Sequence, residues 1–209
     1  MRLDLFPLNT VLLPSAKMPL HIFEDRYLEL IKDCVSRSKP LGIVLIKAGS
    51  AEEGLDIDIY DIGTIADVIE CDANMDGTMD IVVQGRQRFQ VVELVKRLPR
   101  VIADVELVEW GDRVMNGDVL RELQTAFESY LQVVLAVAGQ WQRQFRLPER
   151  PSDLTSLIFK LLQVTVEERQ KLLECAGIEE LICLELKILR RDLPRLETRL
   201  GTMSRRSLN

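Results

Sequence analysis

LPSAKMPLHIFEDRY, residues 13–27, holds two prolines, the chain's only histidine and an acidic-basic-aromatic tail. Such a segment is either an active-site loop or the hinge of an ordinary fold. The residues that follow read as a helix. Over 24–37, Tyr27, Leu28, Ile31, Cys34 and Val35 fall on one helical face, with Glu24 and Asp25 in the first turn, where the helix dipole favours anions. His21, between Leu20 and Ile22, reads as part of a short strand on the face opposite its neighbours, a surface or boundary position.

Working outward, the first half reads as strands: LDLFPL (3–8), GIVLIKA (42–48), GTIADVIEC (63–71), then Met79, Ile81 and Val83 in alternation, and Val101, Ala103, Val105 and Leu107 in alternation. The second half changes period. Leu120, Leu123, Phe127, Leu131, Val134, Ala138, Trp141 and Phe145 predict one long helix over 120–145. Ser152 or Asp153 is expected to cap a second helix, and TVEE (165–168) is a capping box opening a short third one. Ile178 to Leu193 line a last helix that Pro194 ends or kinks. The expected plan is a mostly-β subdomain over 1–112, a helical subdomain over 117–200, and a flexible tail at 201–209.

With 27 Lys and Arg against 33 Asp and Glu, the net charge is −6. Through Trp110 the count is 12 basic against 19 acidic residues, and between Lys47 and Arg86 ten carboxylates meet no base. That balance argues against binding nucleic acid or an anionic membrane. Four scattered cysteines without a CxxC pair, no leader and no long apolar run predict free thiols in a cytoplasmic protein.

Several motifs fall short of chemistry. DANMDGTMD (72–80) matches a calcium loop at its early positions, but Val83 stands where a bidentate Glu belongs, so Asp76-Gly77 is read as a hairpin turn. GSAEEG (49–54) has glycine spacing like a phosphate loop, but Leu55-Asp56 replace its Lys-Ser/Thr. His21 has no nucleophile elbow to serve, and no close Cys/His set would hold zinc. Arg86 and Arg88 in GRQRF (85–89) are expected on a solvated strand face or in ion pairs, opposite Phe89. Catalytic residues, cofactors and metals are therefore not expected.

PLNTVLLP (7–14), MPLHIFEDRY (18–27), GTIA (63–66), GRQRF (85–89) and LPERPSDLTSLIFKLLQVTVEERQKLLE (147–174) together resemble the amino-terminal substrate-binding domain of Lon-type ATP-dependent proteases. The chain is similar in particular to stand-alone bacterial proteins made of that domain. Ser15 departs from the family's usual glycine after Pro14. The resemblance implies an α+β fold, a twisted PUA-like β pseudo-barrel followed by a C-terminal helical bundle. It also makes 13–27 a strand-to-helix entry. Pro14 and Pro19 would hold turn positions, Ile22 and Phe23 would anchor the helix start, Tyr27 would pack back, and Glu24 and Arg26 would pair. The chain ends at Asn209 without the ATPase and Ser-Lys protease modules, so the resemblance implies a non-enzymatic module for unfolded or extended polypeptide, with a protease or chaperone as further partner. An RNA-binding PUA-like module and a small-molecule receptor are the alternatives. The expected peptide-binding residues are Phe23, Tyr27, Met75, Met79 and Phe89, on a groove in the β half or at its seam with the helices, with acids between 52 and 61 favouring basic segments.

Overall fold

The computed structural model of the chain describes residues 1–48, 57–111, 117–140 and 145–206. They divide into two units, one of Met1–Glu109 with Gln163–Glu174, the other of Trp110–Leu162 with the chain from Cys175 onward.

In the first unit, β1 (Arg2–Leu8) lies between β3 (Leu41–Ala48), its parallel partner, and β7 (Val101–Val108), its antiparallel one. β7 continues to β6 (Met79–Lys96), β6 to β5 (Ile62–Ala73), and β5 back to β3, all antiparallel. The ring closes, giving the expected pseudo-barrel. β2 (Lys17–Ile22) adds to the start of β6, and β4 (Asp58–Ile59) to the end of β3. A parallel pair needs a crossover, and α1 (Asp25–Arg37) lies within it.

The alternating sequences explain the two cores. Leu3 and Leu5 of β1, Val101, Ala103 and Val105 of β7, Ile65 and Phe89 fill the barrel. Gly42 and Gly63 leave the space Phe89 occupies, since a Cβ on either would lie within 2.9 Å of its ring. Outside the barrel, Tyr27, Leu28, Ile31 and Cys34 of α1 pack on Phe6, Ile43, Ala66, Ile81 and Val83. β3 is apolar without alternation because Ile43 serves the α1 core and Val44 the barrel.

The 13–27 entry reads as a hinge in the structure too. Ser15 turns at φ +62°, its N–H bonds the Gly85 carbonyl at 2.9 Å, and Gly85 N–H returns a bond to Ala16. Only glycine fits there, because a Cβ on Gly85 would stand 2.1 Å from the Leu13 oxygen. Arg26 pairs with Glu24 at 2.6 Å and sits over the Tyr27 ring, which packs 4.2 Å from Phe6. Ile22 is buried as expected. Phe23 is not, being 60% exposed, because the chain turns into α1 just after β2 ends.

One helix groups differently from the sequence expectation. α4 (Val166–Glu174) belongs with the sheet. Its capping box forms, Glu168 N–H to Thr165 Oγ1 at 3.3 Å and Thr165 N–H to Glu168 Oε2 at 3.2 Å. Gln170 then donates to the Ile62 carbonyl at 3.0 Å, and Arg88 to the Leu173 carbonyl at 2.7 Å.

The second unit holds α2 (Gly117–Val137), α3 (Pro151–Leu161) and α5 (Ile178–Arg206), with α5 packed along α2 and against α3. Trp110 Nε1 donates to the Cys175 carbonyl at 3.0 Å. α2 is shorter than its periodicity predicts. Gly139, at φ +73°, takes a left-handed turn, and Gln140 N–H reaches back to the Leu135 carbonyl at 2.8 Å, ending the helix. Phe145 therefore lies outside it, and Trp141 falls outside the described residues. Arg150 rather than Ser152 or Asp153 is the N-cap of α3, because Pro151 takes the first helical position. α5 neither stops at Pro194 nor leaves 201–206 as a tail; it runs helical through Arg206. Residues 207–209, the 49–54 loop and 112–116 of the connector lie outside the described residues.

Candidate functional site

The five expected binding residues separate into two groups. Tyr27 and Phe89 are 2% and 0% exposed, so they correct the expectation. Tyr27 belongs to the α1 core and Phe89 to the barrel, positions where an aromatic ring removes most apolar area from water. Burial pushes the Tyr27 hydroxyl above its ordinary pKa.

Phe23, Met75 and Met79 share one end of the β2–β6–β5 arm. Ile22, which precedes Phe23, pairs with Met79, and Met75 occupies the turn joining β5 to β6. Phe23 and Met75 are exposed, while Met79 is half-buried against the α1 core. His21 stacks beside Phe23, with ring centroids 6.3 Å apart, and its Nδ1 lies 2.8 Å from Asp80.

The 72–80 segment is the expected turn. Asn74 N–H bonds the Thr78 carbonyl, and Gly77 closes the turn at φ +88°. Asn74 and His21 hold the Asp80 carboxyl below its ordinary pKa, and hydrogen bonds from Thr78 do the same for Asp76. These carboxylates are engaged in shaping the hairpin. Among the described residues no group of His, Cys, Asp and Glu is arranged to hold a metal ion.

Arg86 pairs with Asp67 at 3.3 Å, as an ion pair on the strand should. Arg88 departs from the expected solvated face and is 2% exposed, because α4 covers it and offers the Leu173 carbonyl. Of the acids between 52 and 61, Glu52, Glu53 and Asp56 fall outside the described residues, and Asp58 stands 3.8 Å from Lys47.

The sequence reading missed a cleft of about 580 Å³ between the C-terminal end of α1 and β5. Val35 and Lys39 line one wall, Asp67, Ile69 and Cys71 the other. Val35 and Ile69 are exposed apolar side chains. A signal was present: Pro40, three residues past the end of α1, has no N–H to extend the next strand's pairing.

No helix among the described residues is long and apolar enough to cross a membrane. The chain is similar to the Lon protease of Anaeromyxobacter dehalogenans (strain 2CP-C), 29% identical over 195 residues that cover 90% of this chain and 23% of that protein. It is also similar to the Lon protease of Syntrophus aciditrophicus (strain SB), 26% identical over 178 residues, 82% of this chain and 22% of that one. It thus spans less than a quarter of these relatives. Among solved structures, the Lon N-terminal domain protein from Xanthomonas campestris superimposes with a TM-score of 0.66 at 24% identity, covering 88% of this chain and 96% of that one. The N-terminal domain of Mycobacterium avium complex Lon protease gives 0.64 at 16% identity, covering 91% and 98%. Both share the fold. Residues 2–191 match the family described as the ATP-dependent protease La (LON) substrate-binding domain, and with nearly all of its 209 residues inside that match, the chain belongs to this family.

Proposed function

We propose that this chain is a non-catalytic recognition module for unfolded or extended polypeptide, acting in protein quality control and passing what it holds to a protease or chaperone. The observation that carries this reading is the match to a substrate-binding domain over residues 2–191. The placement of Phe23 and Met75 supports it. Two large apolar side chains stand in solvent at one end of the β2–β6–β5 arm. Exposed apolar groups gathered in one place are a common mark of an interaction site. Methionine adapts to partners of different shape, which suits a surface that accepts many sequences. Free cysteines, two of them buried, fit a reducing compartment such as the cytoplasm.

The test is fluorescence anisotropy of a labelled protein kept unfolded by reduction and carboxymethylation. The full chain binds it and ignores the same protein in its folded form. Phe23→Ser with Met75→Ser weakens binding by about tenfold, on the order of 1.4 kcal/mol. Equal affinity for folded and unfolded forms would overturn the reading. Purified protein hydrolyses neither casein nor ATP; hydrolysis that survives repurification and disappears with a single Ser substitution would overturn the non-catalytic part.

A further inference from the structure

β5 outlasts its partner. β3 pairs with it only as far as Leu41 opposite Ala66, while β6 continues along its other side to Ala73. β3 cannot follow, because Pro40 lacks an N–H and Ser38, at φ +51°, has already turned the chain out of α1. From Asp67 to Ala73, then, β5 has no strand on that side among the described residues. Seven residues of strand span about 23 Å at roughly 3.3 Å each. Outward N–H and C=O groups along that length are hydrogen-bonding sites that an extended backbone matches without regard to side chains. The 580 Å³ cleft runs beside this edge, walled by the end of α1.

We propose that the Asp67–Ala73 edge binds an extended polypeptide segment by strand addition, with apolar side chains of the segment lying against Val35 and Ile69. This deepens the function proposed above and rests on it. Charge selects the occupant. A second copy pairing edge to edge in antiparallel fashion would set Glu70 against Glu70 in one central register and Asp67 against Asp72 in the next, and like charges directly opposite repel. Within the cleft, Asp67 is paired with Arg86, and Lys39 accompanies Glu70. A balanced lining of this kind suits a short segment of apolar and uncharged polar residues.

Cys71 supplies a readout inside the site. It is exposed and lines the cleft, whereas Cys34 beside it is buried with its thiol pushed up to about 11. Iodoacetamide at mildly alkaline pH therefore reports on Cys71, with exposed Cys183 on α5 as internal control. The probe is a fluorescein-labelled octapeptide of alternating valine and threonine. At about ten times its Kd it slows Cys71 alkylation by roughly tenfold and leaves Cys183 unchanged. N-methylating alternate residues abolishes the effect when the methyls face β5 and spares it when they face away. Binding without Cys71 protection overturns the edge assignment and leaves polypeptide recognition standing. An octapeptide that does not bind also overturns it, while the unfolded-protein measurement judges the broader reading separately. Loss of Cys71 reactivity with rising protein concentration alone would assign the edge to a second copy and overturn the proposal.

Discussion

The Arg88 guanidinium donates through Nη1 to the Leu173 carbonyl at 2.7 Å, joining β6 to the last turn of α4 across 85 positions of sequence. A buried cation against helix C-terminal carbonyls is a charge-assisted bond reinforced by the helix dipole. Replacing Arg88 with Met removes the donor and leaves the Leu173 carbonyl without that bond. We expect a loss of about 2–3 kcal/mol in stability. Hydrogen exchange should rise first in 163–174. An exchange pattern there equal to that of the parent would contradict the role given to Arg88.

Ser15 holds φ +62° in the turn that Gly85 receives. A left-handed backbone costs a non-glycine residue roughly 1–2 kcal/mol, and glycine gives part of that back through greater freedom when unfolded. Ser15→Gly should therefore stabilise by about 0.5–1 kcal/mol, read as a higher urea midpoint at unchanged slope. A lower midpoint would show that the hydroxyl makes a compensating contact.

Glu185 on α5 is fully buried, and neither carboxyl oxygen has a hydrogen-bond partner among the described residues. Burial raises its pKa well above the ordinary carboxylate value. The neutral form is the one the fold accepts. Its stabilising effect is complete below the unfolded pKa of about 4.3 and is lost as pH rises toward the higher folded value. Glu185→Met should add about 1–4 kcal/mol at neutral pH and flatten the decline in stability across that window. A variant whose decline matches the parent's would place the titrating group elsewhere.

Much of the fold was legible because burial has a period. β1 and β7 alternate their barrel-facing side chains as far as Val105, and α1 buries Tyr27, Leu28, Ile31 and Cys34 as spaced, whereas Leu107 and Val35, expected with them, stand exposed. The capping box of α4 was legible as a local motif, but its place on the sheet was not, since that depends on Arg88 and Gln170 meeting it from far along the chain. The helix running to 145 was misread because apolar spacing persisted past Gly139, where backbone geometry decides. Site residues were harder. An aromatic at a barrel position and one at a strand end look alike in sequence, yet Phe89 is buried and Phe23 is not. The cleft beside β5 depends on where β3 stops, a property of pairing that no single segment carries.

The central claim is that the sheet-containing unit recognises polypeptide. Hydrogen exchange of the full chain, with and without a saturating carboxymethylated unfolded protein, tests it most directly. Added protection is predicted in 18–23 and 67–83, which contain β2, the free part of β5 and the start of β6, with α2 and α5 unchanged. Protection confined to 117–137 and 178–206, or none anywhere while the unfolded protein is bound, would contradict the account.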